Sequence, residues 1–182
     1  MKVLYIIDAQ NDFCSENGAL ANKECVENAG NIVALLKKEK FDRIYYTLDT
    51  HFDNYLETQE GRNLPVRHCI YETEGWHLRK DIGDELSNLA KTGVKVDSIV
   101  KETFGSSIVA NEPEHRYDAG DEIYICGFCT DICVVSNALL LKSVNLETPI
   151  YFIGNCSAGV TPEKHESAVD VMESCQINII DK

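Results

Sequence analysis

The stretch KVLYIID, residues 2–8, decides the fold. Its five consecutive apolar residues, Val3 to Ile7, show no polar alternation. Such a run is typical of a parallel strand that is buried on both faces of a sheet. Asp8 follows at once, and ligands of parallel α/β sheets bind beyond the carboxyl ends of the strands. Asp8 is therefore a candidate site residue.

The rest of the chain alternates between strands and helices. Further strands are predicted over 43–49, 96–101, 122–127, 149–154 and 176–180, and helices over 23–39, 79–91, 130–144 and 162–175. This alternation predicts an α/β fold with three layers, α/β/α, in which a six-stranded parallel sheet lies between helices. We expect a single domain over residues 1–182, since the length suits one core and no linker or repeat interrupts it. The one long irregular region, 50–78, is expected to be functional.

Composition limits the partners that this chain can have. It contains 17 Lys and Arg against 30 Asp and Glu, a net charge of −13. Such a surface repels phosphate backbones and anionic membranes, so neither nucleic acid nor a membrane is an expected partner. The apolar run before Asp8 is too short for a signal peptide, and no run reaches the length of a membrane span. We therefore expect a cytoplasmic protein whose eight cysteines stay reduced.

The polar residues that end the other predicted strands extend the candidate site. Strand 43–49 ends at Asp49, and strand 96–101 ends at Lys101. Strand 122–127 ends at Gly127, and Cys129 and Cys133 follow it closely. Each residue alone is a common way to end a strand. Because the carboxyl ends of parallel strands meet at one edge, we expect an acid, a lysine and a cysteine to converge there.

The stretch CGFCTDICVV, residues 126–135, leaves three interpretations open: a metal cluster, a redox pair or a nucleophile. Structural zinc needs four ligands, and no second CxxC accompanies Cys126 and Cys129. A redox CxxC needs its first cysteine at a helix N-terminus, whereas Cys126 precedes the helix. With Thr130 as the N-cap, Cys133 is the third helical residue, where the helix field favours a thiolate. Cys133 is the candidate nucleophile, and a buried cysteine without chemistry is the alternative.

Four motifs follow one another along the chain: YIIDAQNDF (5–13), KETF (101–104), GFCTDICV (127–134) and NCSAGVTPEKHESAVDVM (155–172). Together they resemble the isochorismatase-like cysteine hydrolases, and within them the nicotinamidases. The resemblance covers nearly the whole chain and implies a six-stranded parallel sheet between helices, in agreement with the pattern of elements. It also implies that Asp8, Lys101 and Cys133 are the catalytic residues.

The resemblance assigns a role to each of these residues. Cys133 would attack a carboxamide carbonyl, release ammonia and form a thioester that water hydrolyses. Lys101 would favour the Cys133 thiolate, and Asp8 would transfer the protons. The backbone N–H groups of Cys129 and Cys133 would form the oxyanion hole. The family's cis peptide would fall between Phe128 and Cys129.

A second group of residues lies in region 50–78 and at its start. DTH (49–51) and PVRHC (65–69) resemble the nicotinamidase metal loop, which implies Asp49, His51 and His68 as ligands. Glu57 stands where nicotinamidases have a middle histidine and is a further candidate ligand. The implied cofactor is a divalent metal, with zinc expected and iron or manganese as alternatives.

The metal loop favours nicotinamide as the small-molecule carboxamide substrate, because the metal of nicotinamidases binds the pyridine nitrogen. By resemblance, Phe13 packs on the ring and Phe104 lines the pocket. Two alternatives remain: another amidase of the same superfamily, acting on a different carboxamide or carbamoyl substrate, and a non-enzymatic binding protein on the same fold. Isochorismatase activity is disfavoured, since that reaction uses no cysteine nucleophile. Family members often form dimers or tetramers, so a homo-oligomer is expected.

Overall fold

The computed structural model describes residues 1–181 and contains one six-stranded sheet. All strand pairings are parallel, in the order β3-β2-β1-β4-β5-β6. The predicted parallel sheet between two layers of helices is confirmed. The strands are β1 (Lys2–Ile7), β2 (Arg43–Asp49), β3 (Lys95–Lys101), β4 (Glu122–Phe128), β5 (Ile150–Ala158) and β6 (Asn178–Ile180).

The helices include several that are too short to produce a periodic pattern. Within residues 1–181, none is both long and apolar enough to cross a membrane. Two 3₁₀ turns (Tyr55–Glu57 and Pro113–His115) and a π-helical turn (Thr130–Val134) accompany them. The α-helices are α1 (Asn11–Cys14), α2 (Lys23–Lys38), α3 (Gln59–Asn63), α4 (Lys80–Lys91), α5 (Ser107–Asn111), α6 (Val135–Val144) and α7 (Pro162–Ser174).

Two regions without a predicted element contain local structure. Region 50–78 holds the first 3₁₀ turn and α3, and the crossover 102–121 holds α5 and the second 3₁₀ turn. The predicted helix over 130–144 begins with the π-helical turn and continues as α6. Such short elements are stabilised by tertiary contacts rather than by their own periodicity, so the sequence pattern did not show them.

Strand β1 lies in the middle of the sheet and connects both layers of the core. Its residues from Val3 to Ile7 are fully buried, as its unbroken apolar run predicts. Leu4 and Ile6 point to the side that α2 and α4 cover. Val3, Tyr5 and Ile7 point to the side that α6 and α7 cover. The alternation of side chains along a strand thus divides one apolar run between two hydrophobic cores.

The strand order places a crevice between β1 and β4. The chain leaves β1 toward β2 and the edge strand β3, and then returns to β4 on the other side of β1. Connections therefore diverge from the carboxyl ends of β1 and β4, which is where doubly wound sheets bind ligands. Asp8 follows β1, and Cys133 lies in the turn after β4. Both residues flank the crevice.

Gly127 allows β4 to approach β1 closely at this point. Its φ is +123°, and a Cβ there would lie 2.1 Å from the carbonyl oxygen of Ile7.

Gly127→Ala should lower the free energy of unfolding by more than about 2 kcal/mol, because it combines an unfavourable φ with a backbone clash. Gly30→Ala is the matched control, since nothing lies within 4 Å of that Cβ on α2. It should stabilise the protein by about 0.5–1 kcal/mol. Urea unfolding measures both, and a Gly127→Ala variant as stable as the parent would contradict this account.

Candidate active site

Side chains from four neighbouring chain segments meet at the carboxyl edge of the sheet. Asp8 follows β1, Asp49 ends β2, Lys101 ends β3, and Cys133 lies in the turn after β4. All four are buried, with at most 5% of any of them exposed. The structure therefore brings together the acid, lysine and cysteine that the strand ends predicted.

The ammonium group of Lys101 is at the centre of this group. Its Nζ lies 2.7 Å from Asp8 Oδ2, 3.3 Å from Asp49 Oδ1 and 3.7 Å from Cys133 Sγ. Burial lowers the pKa of Lys101, but Asp8, Cys133 and Asp49 together raise it above its ordinary value. Lys101 thus stays positively charged although it is buried.

Asp8 is held by its backbone and by Thr47. Its φ is +48°, in the left-handed region that non-glycine residues seldom adopt. The Thr47 hydroxyl donates to Asp8 Oδ1 at 2.5 Å and accepts from the Asp8 N–H at 3.0 Å. Burial raises the pKa of Asp8 above its usual value, although Lys101 lowers it. A carboxyl with a raised pKa is a better proton acceptor near neutral pH.

Cys133 rests as a thiol rather than a thiolate. Burial raises its pKa well above the ordinary value, Asp8 raises it further, and Lys101 only partly opposes them. Thr130 is also not the N-cap that the sequence suggested: Cys129 is the N-cap, so Cys133 is the fourth residue of the turn. The Thr130 hydroxyl instead hydrogen-bonds His165 Nδ1 at 2.9 Å. The helix terminus therefore does not ionise Cys133, and its chemistry requires a base within reach.

The other cysteines of this stretch are packed in the core. Cys126 is fully buried and Cys129 is 7% exposed. All eight cysteines are free thiols. Within residues 1–181, the one cluster of side chains that could hold a metal ion contains no cysteine. The peptide between Phe128 and Cys129 is cis, as the resemblance implied.

Asp49, His51 and His68 form a group that fits a metal ion. Their candidate ligand atoms all lie within 4.8 Å of one another, and all three residues are buried. His68 Nδ1 donates to the carbonyl of Val66 at 2.8 Å, which leaves its Nε2 lone pair facing Asp49. Histidines that bind metals commonly donate their second nitrogen to a carbonyl in this way. One carboxylate and two imidazoles are a donor set that zinc accepts.

Glu60 lies beside both histidines of this group, whereas Glu57, the further ligand that the motif suggested, does not face them. Glu57 is exposed on the 3₁₀ turn. Glu60 Oε1 lies 3.4 Å from His51 Nε2 and 3.8 Å from His68 Nε2. Burial lowers the pKa of His51, but its hydrogen bonds with Asp49 and Glu60 raise it to about 9. Two carboxylates therefore create a field that favours a cation. Glu57 stands at the position of the motif's middle histidine, whereas the first turn of α3 directs Glu60 toward His51 and His68.

Two residues of the DAQNDF motif, Gln10 and Asp12, hold the backbone of the Asp/His/His group, and their roles were not assigned from the sequence. Gln10 accepts from the Asp49 N–H at 2.8 Å and donates to the Asp49 carbonyl at 2.9 Å. Gln10 also donates to the carbonyl of Trp76 at 2.7 Å. Asp12 accepts from the N–H of Cys69, the neighbour of His68, at 2.7 Å. The only indication of these roles in the sequence was that Gln10 and Asp12 belong to the DAQNDF motif.

The two phenylalanines proposed for substrate binding lie in different environments. Phe13 is 6% exposed, and its ring centroid lies 5.7 Å from that of His68, at the metal group. Phe104 is 47% exposed, and its backbone carbonyl accepts a hydrogen bond from the Asn137 amide. Phe13 is thus placed to meet a ligand of the site, whereas the contacts of Phe104 do not place its ring there.

Known proteins resemble this chain over its length. A family model described as the isochorismatase domain matches residues 2–182. The nicotinamidase of Saccharomyces cerevisiae is 24% identical over 217 residues, covering 100% of both chains. A solved yeast nicotinamidase bound to the inhibitor nicotinaldehyde is 20% identical and shares the fold, with a TM-score of 0.77 over 100% of each chain. The nicotinamidase/pyrazinamidase of Bacillus subtilis is 25% identical, with a TM-score of 0.77 over 98% of each chain. The pyrazinamidase of Pyrococcus horikoshii in complex with zinc is 26% identical, with a TM-score of 0.73 over 100% of this chain and 99% of that one.

The placement of Glu60 predicts which acid supports metal binding. Glu60→Ala should weaken zinc binding by about tenfold to a hundredfold, because it removes a carboxylate beside both histidines. Glu57→Ala, the matched control, should leave zinc affinity unchanged. Competition with a fluorescent chelator measures both affinities. Equal losses in the two variants, or a loss only in Glu57→Ala, would contradict this assignment.

Proposed function

The chain belongs to the isochorismatase family of hydrolases, and on that premise we propose that it hydrolyses nicotinamide to nicotinate and ammonia. The observation that carries the proposal is the buried Lys101 ammonium, which contacts Asp8 and Cys133 directly beside an Asp/His/His group. A cysteine with a base and a cation is equipped for acyl transfer. A divalent ion held by the neighbouring Asp/His/His group would in turn bind a ligand that has a lone pair of its own.

Cys133 is the proposed nucleophile and Asp8 its base. Asp8 takes the thiol proton as the sulfur attacks the carboxamide carbon, and it returns that proton to the departing nitrogen. Ammonia leaves, and a thioester links the acyl group to Cys133. Asp8 then takes a proton from water, which adds to the thioester carbonyl. The acid leaves, and the sulfur regains its proton.

Lys101 stabilises negative charge during both steps. Its Nζ lies 3.7 Å from Cys133 Sγ and cannot lose its proton readily, since two carboxylates raise its pKa. A fixed positive charge in a buried site stabilises the thiolate as it forms. The backbone N–H groups of Cys129 and Cys133 are the proposed donors to the oxyanion.

The proposed metal ligands are Asp49, His51 and His68, with Glu60 as the adjacent carboxylate. A bound divalent ion, zinc above all, would supply a Lewis-acid contact for the pyridine nitrogen. A zinc complex is known for the similar pyrazinamidase of Pyrococcus horikoshii, which supports this choice. Phe13, whose ring lies beside His68, is the proposed packing partner of the substrate ring.

The proposed nucleophile predicts which cysteine activity requires. Cys133→Ala should abolish ammonia release from nicotinamide, because it removes the sulfur that lies 3.7 Å from the Lys101 ammonium. Cys126→Ala is the matched control: it removes a buried thiol from the same stretch and should retain most activity. An ammonia assay over a panel of carboxamides, with and without chelator, measures this. Nicotinamide turnover by Cys133→Ala would refute the mechanism. Turnover of only an aliphatic or carbamoyl amide would support the alternative amidase.

The proposed role of Lys101 predicts a change in the reactivity of Cys133. Lys101→Ala should slow alkylation of Cys133 by iodoacetamide at least about tenfold at neutral pH, the effect of one unit in thiol pKa. Peptide mass spectrometry separates the sites, and the exposed Cys175 is an internal control in each sample. Unchanged alkylation of Cys133 in Lys101→Ala would remove the lysine from this role.

A further inference from the structure

Asn137 on α6 is a fully buried side chain that connects two parts of the candidate site. Its amide nitrogen donates to the carbonyl of Cys133 at 2.8 Å and to the carbonyl of Phe104 at 3.1 Å. Its amide oxygen accepts from the N–H of Ser106 at 2.9 Å. One side chain thus binds the backbone of the nucleophile and both sides of Gly105.

The same helix carries a second asparagine with the same pattern of contacts. Asn145, which caps the end of α6, donates to the carbonyl of Leu141, four residues earlier, and to that of His115, both at 3.0 Å. It accepts from the N–H of Tyr117 at 2.8 Å. Asn137 and Asn145 therefore fasten the two ends of the crossover 102–121 to α6. Only the Asn137 end adjoins Lys101.

The backbone of Lys101 lies far along the sheet from Cys133, so its position depends on how the start of the crossover, directly after Lys101, is held against α6. Lys101 ends the edge strand β3, and β2 and β1 separate that strand from β4, which leads to Cys133. The lysine side chain therefore reaches across two strand ends to the sulfur. Beyond Lys101, Gly105 packs tightly on α6: a Cβ there would lie 3.3 Å from Ser136 Cβ. Asn137 holds the residues on both sides of this contact.

We propose that Asn137 is a positioning residue that sets the distance between the Lys101 ammonium and the Cys133 sulfur. It does so by tying the segment after Lys101 to α6 and to the backbone of Cys133 in the π-helical turn directly before that helix. The proposal rests on the proposed function, since it assumes that Lys101 stabilises the thiolate. It concerns the position of Lys101 and is independent of the substrate.

Asn137→Ser is the variant that tests this. A serine on this helix can still donate to the carbonyl four residues earlier, as Ser136 does to Ile132 at 2.6 Å. It is too short to hold Phe104 and Ser106. Asn145→Ser removes the equivalent contacts at the far end and is the matched control. Both variants should lower the urea midpoint similarly, because each leaves one buried and one part-buried backbone group without its asparagine partner.

The readout is a double-mutant cycle on the alkylation rate of Cys133. Asn137→Ser should slow alkylation about threefold to tenfold in the parent protein, and should have no such effect when Lys101→Ala is already present. Asn145→Ser should change the rate in neither background. An equal slowing by Asn137→Ser in both backgrounds, or no slowing in the parent, would overturn the proposal.

A second variant at Asn137 tests the proposal if the serine variant does not fold, and the Lys101→Ala variant separates failure of this proposal from failure of the proposed function. If Asn137→Ser does not fold, Asn137→Gln keeps the amide on a longer arm and should show the same dependence on Lys101; a parent-like alkylation rate in that folded variant would overturn the proposal. Failure of the proposed function has a different signature, since Lys101→Ala alone would then leave the alkylation rate unchanged.

Discussion

The buried positive charge of Lys101 is the constraint on which the site depends. An ammonium group removed from water costs several kcal/mol unless partners compensate for it. Here the partners are Asp8 at 2.7 Å and Asp49 at 3.3 Å, both at the ends of neighbouring strands. The parallel register of β1, β2 and β3 places these groups side by side. The strand ends therefore position Asp8 and Asp49, and these two carboxylates keep Lys101 positively charged beside Cys133.

Asp49 connects the two halves of the site. Its Oδ1 faces Lys101, and its Oδ2 lies 3.0 Å from His51 and 3.5 Å from His68. One carboxylate thus contacts both the Lys101 ammonium and the two histidines of the Asp/His/His group. Gln10 fixes its backbone from both sides. In the proposed function, both substrate recognition and reaction would therefore depend on Asp49, which is positioned by the end of β2.

The sequence predicted those features that depend on local pattern or on a motif. The apolar run of β1 and the alternation of elements were sufficient for the sheet, and the strand ends indicated Asp8, Asp49 and Lys101. Features that depend on tertiary contacts could not be read in this way. Glu60 faces the histidines only because α3 begins after Thr58, and Thr130 binds His165 instead of capping its helix. Asn137 belongs to no motif that the sequence analysis used, and its proposed role rests on hydrogen bonds to Phe104 and Ser106 that only the structure shows.

The central claim is that Cys133 attacks the carbonyl carbon of the substrate. Nicotinaldehyde with an isotope-labelled carbonyl carbon tests it directly, because a thiol adds to an aldehyde to form a tetrahedral hemithioacetal that cannot proceed further. Carbon NMR of the parent protein should show the labelled carbon become tetrahedral and sulfur-bound at stoichiometric ligand, and Cys133→Ala should show no such signal. A carbonyl signal that remains trigonal in the saturated parent protein, or a sulfur-bound signal that persists in Cys133→Ala, would contradict the account.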